Sequence, residues 1–421
     1  METKYKDSGI PWVGTVPDDW SSDVIGNLFS PRKERVSDKD YPPLSIGKMG
    51  VVPQLQKAVK SAHGDYRKLV KVGDFVINGR SDRRGSCGFS GYDGSVSLKS
   101  IVLTPRGEMV SGYLNWLFHT EQFADEFHKW GHGIVDDLWA TKWDEMKRIS
   151  IPVPPLPVQK CITYFLDRKC REIDELAVLQ ETMIAELKHY RQSVVFEAVT
   201  KGLDQNVPMK DSGVKCVGKI PDHWTVVPIP LVFDNLDCLR KSIIVDDRER
   251  SNPQYDYYGV SGIIDRIDNY NVEDKVLLIG QEGTNLRRRN LPLVYKAEGR
   301  FWVSDNVHIL KPRKDDYDYM ALMLETLDYT DFLTGSTLPI LSQENLSKVK
   351  VCVPPLNEQR AIADYLDRKC SEIDKLIATK QRKIEELCEY RKSVVFEYVT
   401  GKKEVMFGKV QSKRCKIELQ Y

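Results

Sequence analysis

Nearly the same sequence occurs twice in this chain, once in each half, so whatever it folds into must hold two copies of one frame. Val153-Pro154-Pro155-Leu156 returns as Val353-Pro354-Pro355-Leu356, Leu166-Asp167-Arg168-Lys169-Cys170 as Leu366-Asp367-Arg368-Lys369-Cys370, and Ser193-Val194-Val195-Phe196-Glu197 as Ser393-Val394-Val395-Phe396-Glu397. Upstream of each block lies another echo, Asp7-Ser8-Gly9 through Trp20 against Asp211-Ser212-Gly213 through Trp224. Beyond these echoes the halves stop resembling each other. A duplicated frame therefore carries two different surfaces.

A chain of 421 residues, 41% of them hydrophobic, can bury more than one core. No stretch approaches the roughly 18 apolar residues of a membrane span, and the start Met1-Glu2-Thr3-Lys4 has no apolar signal region, so a cytoplasmic protein with no membrane partner is expected. Nine cysteines, an odd number with no Cys-x-x-Cys pair, fit reduced thiols better than a disulfide frame or a zinc site. The 62 Lys and Arg nearly cancel the 61 Asp and Glu. Any nucleic-acid footprint must therefore be concentrated in a few loops.

The echoes divide the chain into four segments, 1–150, 151–205, 206–350 and 351–421, in an A-B-A′-B′ order. Segment A alternates short apolar runs with turn residues, as in Asp74-Phe75-Val76-Ile77-Asn78-Gly79 and Ser90-Gly91-Tyr92-Asp93-Gly94, and reads as strands joined by tight connections. Gly112 to Trp130 reads as one helix packed on them. Segment A′ has the same texture, with strands at Lys275–Gly280 and Phe301–Val303 and a helix near Tyr319–Leu327.

Segments B and B′ differ in kind. After the Pro-Pro punctuation they run to Thr200 and Thr400 with no Gly, and with no Pro beyond Pro157. A helix of that length is roughly 60 Å long. Apolar residues recur on a seven-residue grid: Ile162, Leu176, Met183 and Tyr190 on one row, Leu166, Ile173, Leu187 and Val194 on the next, repeated by Ile362, Leu376 and Tyr390 beside Leu366, Ile373, Leu387 and Val394. This is the seam of a coiled coil, interrupted at Lys169, Lys369, Gln180, Lys380 and Lys383. The other arrangement open to these helices is packing of each on its own globule. Antiparallel pairing would place the globules at opposite ends of a stiff spacer, and half-sites on duplex DNA one or two turns apart, about 34 to 70 Å, match such a spacer. The expected fold class is α+β, two α/β globules separated by two long antiparallel helices.

At these residues the chain resembles a known family. The Pro-Pro-Leu entry followed by Gln159 or by Glu358-Gln359, the turns Phe165-Leu166-Asp167 and Tyr365-Leu366-Asp367, the Ile-Asp-x-Leu steps at Ile173 and Ile373, and the elements Val13 to Trp20 and Val217 to Trp224 look like the conserved regions of Type I restriction-modification specificity subunits. The resemblance implies that segments 1–150 and 206–350 are target recognition domains. It implies that segments 151–205 and 351–421 are helical spacers docking two methyltransferase subunits, with motor and restriction subunits completing the enzyme. S-adenosylmethionine, ATP and magnesium would be bound by those partners, and no cofactor by this chain. Pro157-Val158-Gln159 departs from the family's usual Asn/Ser-Glu-Gln.

The sequence after Thr200, Lys201 to Trp224, is matched after Thr400 only as far as Lys403, and its continuation appears at the N-terminus as Lys6 to Trp20. The two ends are therefore expected to meet, in a cyclic, pseudo-twofold organisation with two equivalent docking faces.

Catalytic motifs are absent from the sequence. An amino-methyltransferase needs Asn/Asp-Pro-Pro-Tyr/Phe, and neither Asn252-Pro253-Gln254-Tyr255 nor Tyr41-Pro42-Pro43-Leu44 supplies it. Gly213 to Gly218-Lys219 imitates a phosphate loop, but Ile220 stands where Ser or Thr must hold magnesium, so a turn before Trp224 is expected. Glu145-Met146-Lys147 lacks an Asp partner, and His128 with His132 lacks a third ligand.

DNA-contact candidates lie in the loops of A and A′. Asn78, Arg80, Ser81, Arg83 and Arg84 combine guanidinium groups, which grip guanine or phosphate, with small polar residues. Gln281, Thr284, Asn285, Arg287, Arg288 and Arg289 do the same with amides suited to adenine, and Lys99, Lys142 and Lys296 are phosphate candidates. Tyr257 and Tyr258 suit core and contact equally. The bland reading of both loops is a solvated surface. Their matching places, each after an apolar strand, favour contact. The sequence thus points to a non-catalytic subunit reading a split, asymmetric duplex target, the competing classes being a coiled-coil scaffold without DNA specificity and a stand-alone methyltransferase.

Overall fold

The computed structural model describes residues 4–54, 65–80, 83–133, 139–204, 206–243 and 253–405. The chain divides into two compact units, Met1–Glu181 with Gln381–Tyr421, and Thr182–Lys380. Each unit holds one globule together with stretches of both long helices, which run Leu156–Lys201 and Leu356–Val399.

In the first unit a four-stranded antiparallel sheet orders Cys87–Phe89, Phe75–Asn78, Ser100–Pro105 and Phe29–Pro31. A second sheet orders Gly94–Val96, Arg67–Val70 and Arg35–Val36. Helices Ser111–Phe118 and Glu121–Lys129 cover the first sheet, and Phe29, Phe75, Phe118 and Phe123 pack as one aromatic cluster between them. The single helix expected over Gly112 to Trp130 is broken at His119–Thr120. Thr120 ends the first helix and caps the second, its Oγ1 accepting from Phe123 N at 3.2 Å.

In the second unit one six-stranded sheet orders Phe233–Asn235, Val307–Pro312, Val272–Gly280, Val294–Val303, Tyr255–Gly259 and Gly262–Ile267. Only the pairing of Val294–Val303 with Tyr255–Gly259 is parallel among these. Helix Tyr317–Thr326 packs on it, its first turn capped by Asp316.

The duplication shows in matched ties. Gln159, buried, donates to Pro154 O at 2.8 Å and accepts from Val110 N at 3.0 Å; Gln359 donates to Pro354 O at 2.9 Å and accepts from Asp316 N at 2.7 Å. Tyr113 Oη lies 3.0 Å from Pro152 O and 2.9 Å from Val399 O, while Tyr319 Oη lies 3.0 Å from Cys352 O and 3.2 Å from Val199 O. Each buried tyrosine thus joins its globule's last strand to the end of a long helix from the other copy.

Within each unit the long helices run antiparallel. In the first, Phe165 and Tyr398 rings are 4.3 Å apart and Arg391 Nε donates to Asp174 at 2.9 Å. In the second, Arg191 Nε lies 3.2 Å from Asp374, and Val199 shares a core with Ile362 and Leu366. Burial corrects one row of the expected seam. Ile162, Leu166, Ile173, Ile362, Leu366, Ile373 and Val394 are buried, and Met183, Leu187, Val194 and Leu387 are half-buried. Leu176, Tyr190, Leu376 and Tyr390 are about half exposed. The inward row runs instead through Cys170, Ala177, Ile184 and Arg191, and through Cys370, Ile377, Ile384 and Arg391. A straight α-helix drifts against a strict heptad, so the inward face moves off one row while keeping the other.

The ends of the chain meet within the first unit. Gly401 has φ +72°, and a Cβ there would lie 2.5 Å from Pro17 Cδ and 3.0 Å from the Trp20 ring. Gly202, φ +75°, faces Trp224 in the second unit at 3.2 Å. The Trp224 site adds Glu358, which accepts from Trp224 Nε1 at 3.0 Å and lies 2.8 Å from His223 Nε2. Val158 occupies the corresponding place in the first copy and packs against the hydrophobic core to which Trp20 belongs. The departure at Pro157-Val158-Gln159 therefore replaces a polar clasp by an apolar contact.

Candidate nucleic-acid interface

In the first unit the candidate loop leaves strand Phe75–Asn78. Asn78 Oδ1 accepts from Arg80 N at 3.2 Å and Asn78 N donates to Ser86 O at 2.9 Å, closing the loop on itself. Gly79 is wedged between two backbones: a Cβ there would lie 2.7 Å from Thr141 O and 3.0 Å from Lys99 O. That approach brings Lys99 and Lys142 beside Asn78 and Arg80, four of the residues named from sequence. Thr141 in turn is pinned to helix Glu121–Lys129 through Phe127 O at 2.7 Å, and Trp139 Nε1 donates to His128 O at 3.0 Å. Arg83 lies in the turn, and Arg84 is ion-paired to Asp125 on the same helix. Ser81 lies outside the described residues.

In the second unit the candidate loop leaves strand Val272–Gly280. Gln281 N donates to Asn306 O at 2.8 Å, Leu341 N donates to Gln281 O at 2.7 Å, and Gln281 Oε1 accepts from Arg240 Nη1 at 2.9 Å. A one-turn helix, Asn285–Arg288, follows exposed Thr284. Asn285 closes the loop, with Nδ2 donating to Leu291 O and Pro292 O at 3.1 Å and Oδ1 accepting from Leu291 N at 2.9 Å. Arg287 donates to Ser336 O and Gly335 O, and Arg289, left-handed at φ 51°, donates to Leu327 O. Two of the three arginines thus fasten the loop to its neighbours, and Arg288 stands exposed. Lys296 pairs with Asp318 at 2.5 Å. The loop returns over Glu325, which accepts from Leu293 N and Val294 N at 2.8 Å and whose carboxyl is pushed up by burial.

Sequence reasoning passed over the group beneath Gln281. His308 is fully buried, with Nδ1 2.7 Å from Asp237 Oδ2 and Nε2 2.8 Å from Leu341 O. Burial pushes the Asp237 carboxyl up, but the hydrogen bond and charge of His308 outweigh it and hold the group below the usual aspartate range. A histidine in the apolar run Val307-His308-Ile309-Leu310 signals a core position, while its partner is far off in sequence.

The motifs set aside as non-catalytic have structural places. Gly213 and Gly218, both at positive φ, turn the hairpin between Met209–Asp211 and Lys219–Pro221. Glu145 accepts from Lys142 N at 3.2 Å as a helix cap. The His128 and Trp139 rings lie tilted to each other, with centroids 5.7 Å apart. Tyr257 is core, and Tyr258 is half-buried. Asn252 lies outside the described residues. Among the described residues no group of three or more His, Cys, Asp or Glu could hold a metal, all eight cysteines are free, and no helix is long and apolar enough to cross a membrane.

Residues 221–387 match the model of the Type I restriction modification DNA specificity domain. Two proteins of Methanocaldococcus jannaschii align along nearly the whole chain. The putative type I restriction enzyme MjaX specificity subunit is 23% identical over 93% of this chain and 95% of its own length. The MjaVIII specificity subunit is 24% identical over 92% and 93%. The fold is that of the HsdS subunit from Thermoanaerobacter tengcongensis, with TM-score 0.54 and 18% identity over 92% of this chain and 98% of that one. A chain solved in work on assembly and conformational transition of the type I R-M system gives TM-score 0.70 and 15% identity over 91% and 98%. The chain thus carries a Type I restriction modification DNA specificity domain at residues 221–387 and is similar, along nearly its whole length and in fold, to specificity subunits of Type I restriction-modification systems.

Proposed function

We propose that the chain reads a bipartite, asymmetric duplex, residues 1–150 recognising one half and residues 206–350 the other. Segments 151–205 and 351–421 set the unread gap and dock two methyltransferase subunits, to which motor and restriction subunits add. The complex works in the cytoplasm. S-adenosylmethionine, ATP and magnesium belong to the partners, consistent with the want of a donor-binding or base-gripping motif in this sequence. One observation carries the reading: two dissimilar polar loops, opening at Asn78 and at Gln281, leave comparable strands in two globules that share matched ties at Gln159 and Gln359 and at Tyr113 and Tyr319. Exposed Tyr164 and Leu179 on the first long helix are apolar surface of the kind a partner subunit covers.

Mapping methylated adenines across the host genome with and without this chain tests the reading. A split motif that vanishes on deletion is expected; unchanged methylation would refute it. Replacing Arg83→Ala together with Arg84→Ala should weaken recognition of one half only, with the loss easing at low salt if phosphate contacts dominate.

A further inference from the structure

Arg240 lies outside the second candidate loop by sequence and beside it in space. Its Nη1 donates to Gln281 Oε1 at 2.9 Å and lies 3.5 Å from Asp237 Oδ2. The turn that carries it is fastened on several sides. Leu239 O accepts from Asn271 Nδ2 at 3.0 Å, Lys241 O accepts from Trp302 Nε1 at 2.7 Å, and Lys241 N donates to Val303 O at 3.1 Å. Asp237 accepts from Ile309 N at 2.8 Å and from buried His308, whose other nitrogen faces Leu341 O; Leu341 N in turn donates to Gln281 O. His308 thus locks the Arg240 turn and the Gln281 strand end into one rigid piece. A buried charged pair adds little net stability, so what it supplies here is position.

The chemistry of the locked pair is one-sided. An amide that reads adenine accepts from N6 and donates to N7. Gln281 turns its acceptor to a guanidinium, so the group it has left to offer a base is its NH2, a donor. Arg240, its side chain 21% exposed, adds further N–H groups alongside. Adjacent donors match the O6 and N7 acceptors of guanine.

We infer that Arg240 is a specificity-determining residue of the second unit, forming with Gln281 a donor pair that reads a guanine edge in that unit's half-site. This rests on the DNA-reading function proposed above and corrects the adenine preference that the loop's amides suggest from sequence.

The test maps methylated adenines in host cells carrying the full chain and its partners, for wild type, Arg240→Gln and Gln281→Leu, with the melting temperature of each purified chain recorded. Both variants should relax the same guanine position in one half of the motif, discrimination falling about 5- to 150-fold, while the other half stays intact. An unchanged motif, relaxation at a position other than guanine, or equal loss in both halves with normal melting overturns the inference. Should Arg240→Gln melt well below wild type, Gln281→Leu decides alone. If deleting the chain leaves every methylated motif in place, the DNA-reading function itself fails, and Arg240's role falls with it.

Discussion

Asp237 and His308 show what single residues do in this molecule: neither reaches the surface loop, yet both hold it. Because the folded state keeps Asp237 ionised to lower pH than the unfolded chain does, its contribution is present above the ordinary aspartate range and is lost as pH falls through the lowered value. Asp237→Asn should therefore lower stability at neutral pH by about 1–3 kcal/mol, and the gap from wild type should close in acid. Denaturant melts across pH measure both; a gap that widens in acid contradicts the assignment. At this scale the sequence was least legible. Asn285 has the chemistry of a base reader, and only its bonds to Leu291 and Pro292 reveal a loop lock. Arg287 and Arg289 likewise find carbonyl partners far along the chain.

Secondary elements were more legible, because periodicity and punctuation are local. Pro154-Pro155 and Pro354-Pro355 mark the starts of both long helices, and the row through Leu166, Ile173 and Val194 lies inward as the heptads imply. The companion row was misplaced because Leu176 and Tyr190 are conspicuously apolar, whereas the inward positions one residue later carry Ala177 and Arg191. A small residue and an ion-paired guanidinium leave no trace in a hydrophobic count. The consequence is measurable. Ile373→Ala should cost about 2–4 kcal/mol and Leu376→Ala less than about 1 kcal/mol, read from equilibrium unfolding. Equal losses would restore the original register.

At the largest scale, the meeting of the two chain ends was legible from one broken repeat: the junction missing after Lys403 stands at the other end of the chain, before Trp20. Gly401 packed on Pro17 and Trp20 is the contact that this implied. A circular permutant joining Lys403 to Lys6 through a copy of residues 204–209, and opened at Asn206, should fold cooperatively with the wild-type circular dichroism spectrum. Aggregation or loss of the cooperative transition would show that the contact between the ends does not support the fold.

Each long helix also bears one acid and one base that find their opposites on the other helix, Asp174 with Arg391 and Asp374 with Arg191. A gene cut to a single repeat keeps both members of that clasp. Two such half-length products would be complementary to each other, and the pair would carry identical heads suited to a palindrome.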